Sequence, residues 1–161
     1  MLIFSLDGEA NNANALLAEL QNRLGEDSVQ RGELEQRHFP DGESYIKIMS
    51  EVKQQDIIVL CQLHQPNNKL IDLMFFAETA KQLGALSVHL VAPYLAYMRQ
   101  DKRFNLGECI TSRHASSWIS ERFDSLITID PHLHRYHSLD EIYSIPSDVL
   151  HATDLMAEYI R

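Results

Sequence analysis

Apolar residues along the chain follow two spacings, and each spacing predicts a different secondary structure. Short apolar or extended runs, two of them closed by proline, are typical of strands. These runs are Leu2–Leu6, Glu43–Met49, Asp56–Cys61, Ser87–Ala92 and Ser125–Asp130. Apolar residues that recur every three or four positions predict helices. This second pattern covers Ala10–Leu24, Asn68–Leu83, Thr111–Arg122 and Thr153–Arg161, with Thr153 as a predicted cap.

The alternation of strand and helix patterns predicts an α/β fold, with a mostly parallel sheet and helices on both faces. The 161 residues are enough for one domain with a hydrophobic core. In such sheets, ligands bind beyond the carboxyl ends of the strands. The segments that follow Cys61, Ala92 and Asp130 are therefore the predicted places for a binding site.

Composition narrows the possible partners. The formal net charge of −9 argues against a nucleic-acid-binding protein, because binding a polyanion requires a basic surface. No apolar run approaches the roughly 20 residues of a membrane span. Cys61 and Cys109 are far apart and form no C-x-x-C motif, so we expect two buried, reduced thiols in a cytoplasmic protein.

The segment Tyr94–Arg103 concentrates cations and tyrosines directly after a predicted strand. Arg99 can bind phosphate oxygens or stack on a base, and Gln100 can both donate to and accept from a base edge. A solvated basic loop is the alternative explanation. The segment Asp130–His137 carries an acid and three histidines, which can hold a divalent metal or contact a phosphate. We expect His134 and His137 to lie on the surface.

Two further segments are weaker candidates. Arg37–Glu43 contains a Pro-Asp-Gly sequence and reads either as a plain turn or as an aromatic platform for a base, with nearby carboxylates. His64–Asn68 reads as a loop that ends in an asparagine cap for the next helix.

Together these segments resemble one family, the ribose-phosphate pyrophosphokinases. The resemblance rests on Phe39-x-Asp41-Gly42-Glu43, on Pro93-Tyr94-x-x-Tyr97-x-Arg99-Gln100-Asp101-Lys102-Arg103, and on Ile129-Asp130-x-His132. It implies a phosphoribosyltransferase-like (type I) domain. It also implies transfer of the diphosphoryl group of ATP to ribose 5-phosphate, which gives phosphoribosyl pyrophosphate and AMP.

The resemblance also implies roles for individual residues. Phe39, Asp41 and Glu43 are expected in the adenine pocket of a neighbouring subunit, so the protein is expected to be a homo-oligomer. Arg99 and Gln100, and with less support Asp101, are expected to contact ATP in their own subunit. His132 is expected to help bind Mg²⁺. Diphosphoryl transfer depends on positioning and on charge neutralisation, and residues that bind phosphates and Mg²⁺ can supply both.

The sequence departs from the family pattern in informative places. It contains no acidic stretch ending in a Gly-Gly turn, and the residues that would cradle ribose 5-phosphate and carry out catalysis are missing. Asp130-Pro131-His132 replaces the usual Asp-Leu-His, and an unusual His134-Arg135 follows. We therefore expect residues 1–161 to form one domain equivalent to the N-terminal half of the enzyme, without a catalytic residue and inactive alone.

Three functions stay open at this stage. The first is the ATP-side domain of an active synthetase. The second is a non-catalytic, synthetase-like regulatory or assembly subunit, and the third is a nucleotide-binding α/β domain of another enzyme. The chain stops at Arg161 inside a helical pattern, which fits either a natural terminus or a domain boundary.

Overall fold

The computed structural model describes residues 1–160, and its centre is a six-stranded parallel sheet. The strands of this sheet are β1 (Leu2–Ser5), β2 (Gln30–Arg31), β5 (Asp56–Leu60), β6 (Ser87–Ala92), β7 (Ser125–Ile129) and β8 (Ser147–Leu150). They lie in the order β2-β1-β5-β6-β7-β8, and every neighbouring pair is parallel. The other two strands, β3 (Leu34–His38) and β4 (Ser44–Ile48), form an antiparallel hairpin.

Residues 1–160 also form four α-helices: α1 (Ala10–Leu24), α2 (Pro66–Gln82), α3 (Thr111–Arg122) and α4 (Ala152–Ile160). The strand order runs one way from β1 to β2 and the other way from β5 to β6. Right-handed crossovers therefore place α1 and α2 on opposite faces of the sheet. The parallel sheet with helices on both faces is the predicted α/β fold.

Each face of the sheet has its own hydrophobic core. On one face, Ile3 and Leu60 pack with Ala13 of α1. On the other, the larger core includes Phe4 and Phe76, whose ring centroids lie 5.0 Å apart in an edge-on arrangement. Because successive strand residues point to opposite faces, the adjacent residues Ile3 and Phe4 belong to different cores.

Several predicted elements differ from the structure. The extended segment at Glu43–Met49 is the second strand of the hairpin and does not join the parallel sheet. The first hairpin strand, β3, was not predicted, because it is mostly polar and only partly buried. Strands β2 and β8 were also missed, since β2 has two residues and β8 is a half-buried edge strand.

Two predicted helix starts are wrong. Helix α2 begins at Pro66, with Gln65 as its N-cap residue, so Asn68 lies inside the helix and does not cap it. Proline suits the first position of a helix because its φ is already helical and it has no N–H left unpaired there. Helix α4 begins at Ala152, so Thr153 also lies within a helix. The predicted end of α4, residue 161, lies outside the described residues.

The two cysteines differ in exposure. Cys61 is buried at the end of β5, and this burial raises the pKa of its thiol to about 12. Cys109 is exposed, contrary to the prediction, because it lies in the loop that precedes α3. Within residues 1–160, no helix combines the length and apolar character needed to cross a membrane.

Candidate functional site

A cavity of about 460 Å³ opens at the carboxyl ends of the central strands. Its walls come from the segments that follow β5, β6 and β7, together with the first residues of α2 and α3. The position is the one expected for a ligand in a parallel sheet. Arg99, Gln100 and His132 all line this cavity. The two candidate loops therefore converge, as predicted.

The backbone around the cavity has an unusual conformation. Gln65, Tyr97 and Asp130 line the cavity, and their φ angles are 51°, 61° and 40°. Side-chain-bearing residues rarely adopt positive φ, and such residues tend to gather at functional sites. They are three of only five non-glycine residues with positive φ in residues 1–160. Each of the three walls thus contains one such residue.

Arg99 lines the cavity from the loop after β6, and the neighbouring residues of this loop pack firmly against the domain. Leu95 and Met98 are buried in the core, and the Tyr97 hydroxyl donates a hydrogen bond to Asn67 of α2. Arg99 itself is exposed and forms no hydrogen bond or ion pair with the residues that the structure describes. The guanidinium is therefore available for a ligand, and a carboxylate or phosphate is the group that it binds best.

The residues after Arg99 form a compact loop around one carboxylate. Glu108 accepts hydrogen bonds from the backbone N–H groups of Phe104 and Asn105 at 2.7 and 3.0 Å. It also accepts from the Asn105 side chain at 2.6 Å and from Nε2 of Gln100 at 3.1 Å. The bonds from Asn105, above all, lower the pKa of Glu108 from its ordinary value.

Asp101 points away from the cavity and into the protein. Its carboxylate is buried and forms a 2.6 Å ion pair with Arg135. The Arg135 guanidinium also lies 5.2 Å from the centroid of the Phe104 ring. Arg135 thus joins the loop that carries Arg99 to the loop that carries His132. A direct contact between Asp101 and ATP stays a prediction, which this position does not support.

Asp130 and His132 follow β7 on the opposite wall. Asp130 accepts a hydrogen bond from the Ala152 N–H at 3.0 Å and pairs with Nδ1 of His151 at 2.8 Å. The Ala152 bond, followed by the His151 bond, lowers the pKa of Asp130. His132 is exposed, and its ring centroid lies 4.1 Å from that of His134. His134 and His137 are both exposed, as expected.

The described residues do not form a closed metal site. Nowhere in residues 1–160 do three or more His, Cys, Asp or Glu side chains converge as metal ligands. His132 alone fits a magnesium ion that arrives on the phosphates of a nucleotide and keeps most of its water ligands. A role of His132 in holding Mg²⁺ stays a prediction.

The remaining candidate residues lie on the hairpin, away from the cavity lining. Phe39 is 40% exposed, and the Arg37 guanidinium lies 4.7 Å from the centroid of its ring. Asp41 accepts a hydrogen bond from the Glu43 N–H at 3.2 Å, within a turn that Gly42 completes at a φ of 95°. No residue of this hairpin lines the cavity. The candidate residues thus fall into two separate groups.

Polar groups fasten the hairpin to the body of the domain. Nε2 of Gln36 donates to the buried carboxylate of Asp72 in α2 at 2.6 Å and to Asp7 after β1 at 3.1 Å. The Asp7 N–H donates in turn to Oε1 of Gln36 at 3.0 Å. His38 Nε2 lies 3.6 Å from the same Asp72 oxygen. This anchor fixes the base of the hairpin and leaves its tip exposed.

Sequence reasoning missed the supporting residues of the site. Glu108 drew no attention because a single glutamate before a helix is common. Arg135 was noted only as an unusual residue after His134, and its ion pair with Asp101 gave no signal in the sequence. The burial of Asp101 could not be inferred, because it depends on contact between two loops that lie far apart in the sequence.

Comparisons with known proteins decide the family. The family model described as the N-terminal domain of ribose phosphate pyrophosphokinase matches residues 1–121. The chain belongs to this family. A family member from Saccharolobus solfataricus, named ribose-phosphate pyrophosphokinase, is 37% identical over 107 residues, which cover 65% of this chain and 37% of the relative. The Fusobacterium nucleatum protein of the same name is 30% identical over 146 residues, which cover 89% of this chain and 45% of the relative.

A solved structure shows the same fold. The crystal structure of phosphoribosylpyrophosphate synthetase from Mycobacterium smegmatis matches with a TM-score of 0.85 and 22% sequence identity. The match covers 99% of this chain and 51% of that structure. The chain spans less than half the length of the curated relatives named above. Family membership and fold are therefore established for a region equivalent to the first half of these proteins.

Proposed function

We propose that the chain is the ATP-side domain of a ribose-phosphate pyrophosphokinase. The complete protein would transfer the diphosphoryl group of ATP to ribose 5-phosphate and release AMP. The observation that carries the proposal is the convergence of Arg99, Gln100 and His132 on one cavity at the strand ends. We place the reaction in the cytoplasm, since free thiols such as Cys61 and Cys109 suit a reducing compartment.

The cavity residues would act by binding and orientation. Arg99 would grip phosphate oxygens and offset their charge, which helps because the transferred group carries several negative charges. Gln100 would contact the base edge. A magnesium ion bound to the phosphates would be held by His132 and would neutralise charge as the diphosphoryl group departs. We assign no proton transfer or nucleophilic role to residues 1–160.

The hairpin would complete the nucleotide site of another subunit. Phe39 offers an exposed ring on which adenine can stack, and Asp41 and Glu43 offer acceptors for its amino group. These residues lie outside the cavity of their own chain. We therefore propose a homo-oligomer in which one chain supplies the cavity and a second supplies the hairpin. The groups that bind ribose 5-phosphate would come from a second half, as the length of the relatives suggests.

Titration of the chain with ATP and Mg²⁺ in a calorimeter tests the binding role. We expect weak binding at low protein concentration and tighter binding as the chains associate, because a dilute chain lacks the partner's hairpin. Arg99→Ala should weaken binding about tenfold or more, as expected for the loss of charged hydrogen bonds. Arg23→Ala, which alters an exposed ion pair on α1, is the matched control and should have no effect.

Activity tests the reaction itself. Full-length protein should release AMP from ATP only when ribose 5-phosphate is also present. Tight ATP binding to a monomer would contradict the shared site. ATP binding without any ribose 5-phosphate-dependent AMP release would contradict the enzyme and favour the regulatory or assembly subunit.

A further inference from the structure

The side-chain amide of Gln100 has its nitrogen committed within its own loop. Nε2 donates to Glu108 Oε2 at 3.1 Å and to the Lys102 carbonyl oxygen at 3.3 Å. An amide nitrogen has two hydrogens, so these two bonds use both of them. No residue within 1–160 donates to the amide oxygen of Gln100, which is the part of the side chain left for a ligand.

The carboxylate of Glu108 fixes this orientation. An ionised carboxylate can only accept hydrogen bonds, so it faces the NH₂ group of Gln100 and excludes the reversed amide. Hydrogen bonds from Asn105 and Phe104 lower the pKa of Glu108, because they stabilise its ionised form. The same bonds hold Glu108 in place, because they come from the backbone and side chain of its own loop.

We propose that Glu108 is a positioning residue that turns the Gln100 amide so that its carbonyl oxygen faces the bound nucleotide. The inference rests on the proposed function and sharpens it. A carbonyl oxygen accepts from an amino group, as on adenine, and repels a base that carries a carbonyl oxygen at the same place. Glu108 would thereby favour amino bases without touching the ligand.

ATP and ITP are the probes for this inference, since ITP carries a carbonyl oxygen in place of the amino group of adenine. The affinity of each, with Mg²⁺, can be measured by NMR titration of labelled protein, which tolerates weak binding. Wild-type protein should bind ATP about three- to tenfold more tightly than ITP, as one hydrogen bond allows. In Glu108→Ala this ratio should fall about twofold or more, because the Lys102 carbonyl oxygen is then the remaining acceptor that orients the amide.

Two further variants protect the test from a folding artefact. Glu108→Gln keeps the size of the side chain and one acceptor oxygen, which the N–H groups of Phe104 and Asn105 hold beside Gln100, so it should keep most of the ratio. Glu121→Gln changes an exposed carboxylate on α3 and should leave the ratio unchanged. The Gln100 side-chain NH₂ signals should shift in both Glu108 variants even without ligand, while the remaining spectrum reports an intact fold.

The outcomes separate this inference from the proposed function. If Glu108→Ala weakens ATP and ITP equally, Glu108 only supports the loop and the inference is wrong. A wild-type ratio of about one would also overturn it. Wild-type protein that binds neither nucleotide would contradict the proposed function, and this inference would fall with it.

Discussion

The cavity and the hairpin have the same predicted ligand but differ in how the chain builds them. The cavity lies at the strand ends, where three loops meet and Arg135 ties two of them together through Asp101. The hairpin lies outside the sheet and is anchored by Gln36 to Asp72, with its tip exposed. Since no hairpin residue lines the cavity of its own chain, the proposed shared site would take its hairpin from another chain.

The largest expected effect comes from removing the ion pair between Arg135 and Asp101, which joins two loops of the cavity. Arg135→Ala leaves the buried carboxylate of Asp101 without its cation, and the other oxygen of that carboxylate is already buried without a partner. We expect a loss of about 3 kcal/mol in the free energy of unfolding, measured by urea denaturation. Hydrogen exchange should rise in the cavity loops and stay unchanged in the hairpin.

Two comparisons test this explanation of Arg135. Adding Asp101→Asn to Arg135→Ala should recover part of the lost stability, because it removes the uncompensated charge. Arg122→Ala breaks an exposed pair with Glu121 and should cost less than about 1 kcal/mol. Equal losses for Arg135→Ala and Arg122→Ala would show that the ion pair between Arg135 and Asp101 does not hold the cavity loops together.

A smaller effect is expected from removing the hydrogen bonds by which Gln36 anchors the hairpin. Gln36→Ala removes three hydrogen bonds and leaves Asp72 and Asp7 without their shared donor. We expect a loss of about 2 kcal/mol, with faster hydrogen exchange confined to β3 and β4. Gln82→Ala, at an exposed position of α2, is the control. Faster exchange in the cavity loops would show that the two regions are coupled within one chain.

The smallest expected effect is a pH response of the loop that contains Glu108, between β6 and α3. The pKa of Glu108 is lower in the folded protein than its ordinary value, so its stabilising bonds are complete above that ordinary value. They should be lost only as pH falls through the lowered pKa. NMR signals of the Phe104 and Asn105 amides should then shift, while hairpin amides do not follow. Loss of these bonds at higher pH would contradict the assignment.

The sequence predicted strands β1, β5, β6 and β7 because each is a short, largely apolar run. It predicted the convergence of Arg99 and His132 for a general reason, since the carboxyl ends of parallel strands meet at one edge. It failed for β3, whose alternating charged residues carry little apolar signal. It also failed for Asp101, because burial there depends on Arg135, a residue 34 positions away.

The sequence motifs that contain Phe39 and Arg99 do not show how far apart the two residues lie in the folded chain, so their separation could not be predicted. In the structure, none of the residues at the tip of the hairpin lines the cavity. The resemblance had implied a neighbouring subunit, and the geometry is compatible with that arrangement. A shared site nevertheless stays a proposal, which only an experiment on assembled chains can test.

Complementation between two variants tests the shared site most directly. Phe39→Ala and Arg99→Ala should each weaken ATP binding about tenfold or more at a protein concentration where the wild-type chains associate and bind ATP with Mg²⁺. In an equal mixture, about one quarter of the sites should combine an intact Arg99 with a partner's intact Phe39 if chains pair at random. Calorimetry should therefore show binding regained at about that fraction of sites. A mixture that binds no better than either variant would contradict a site built from two chains.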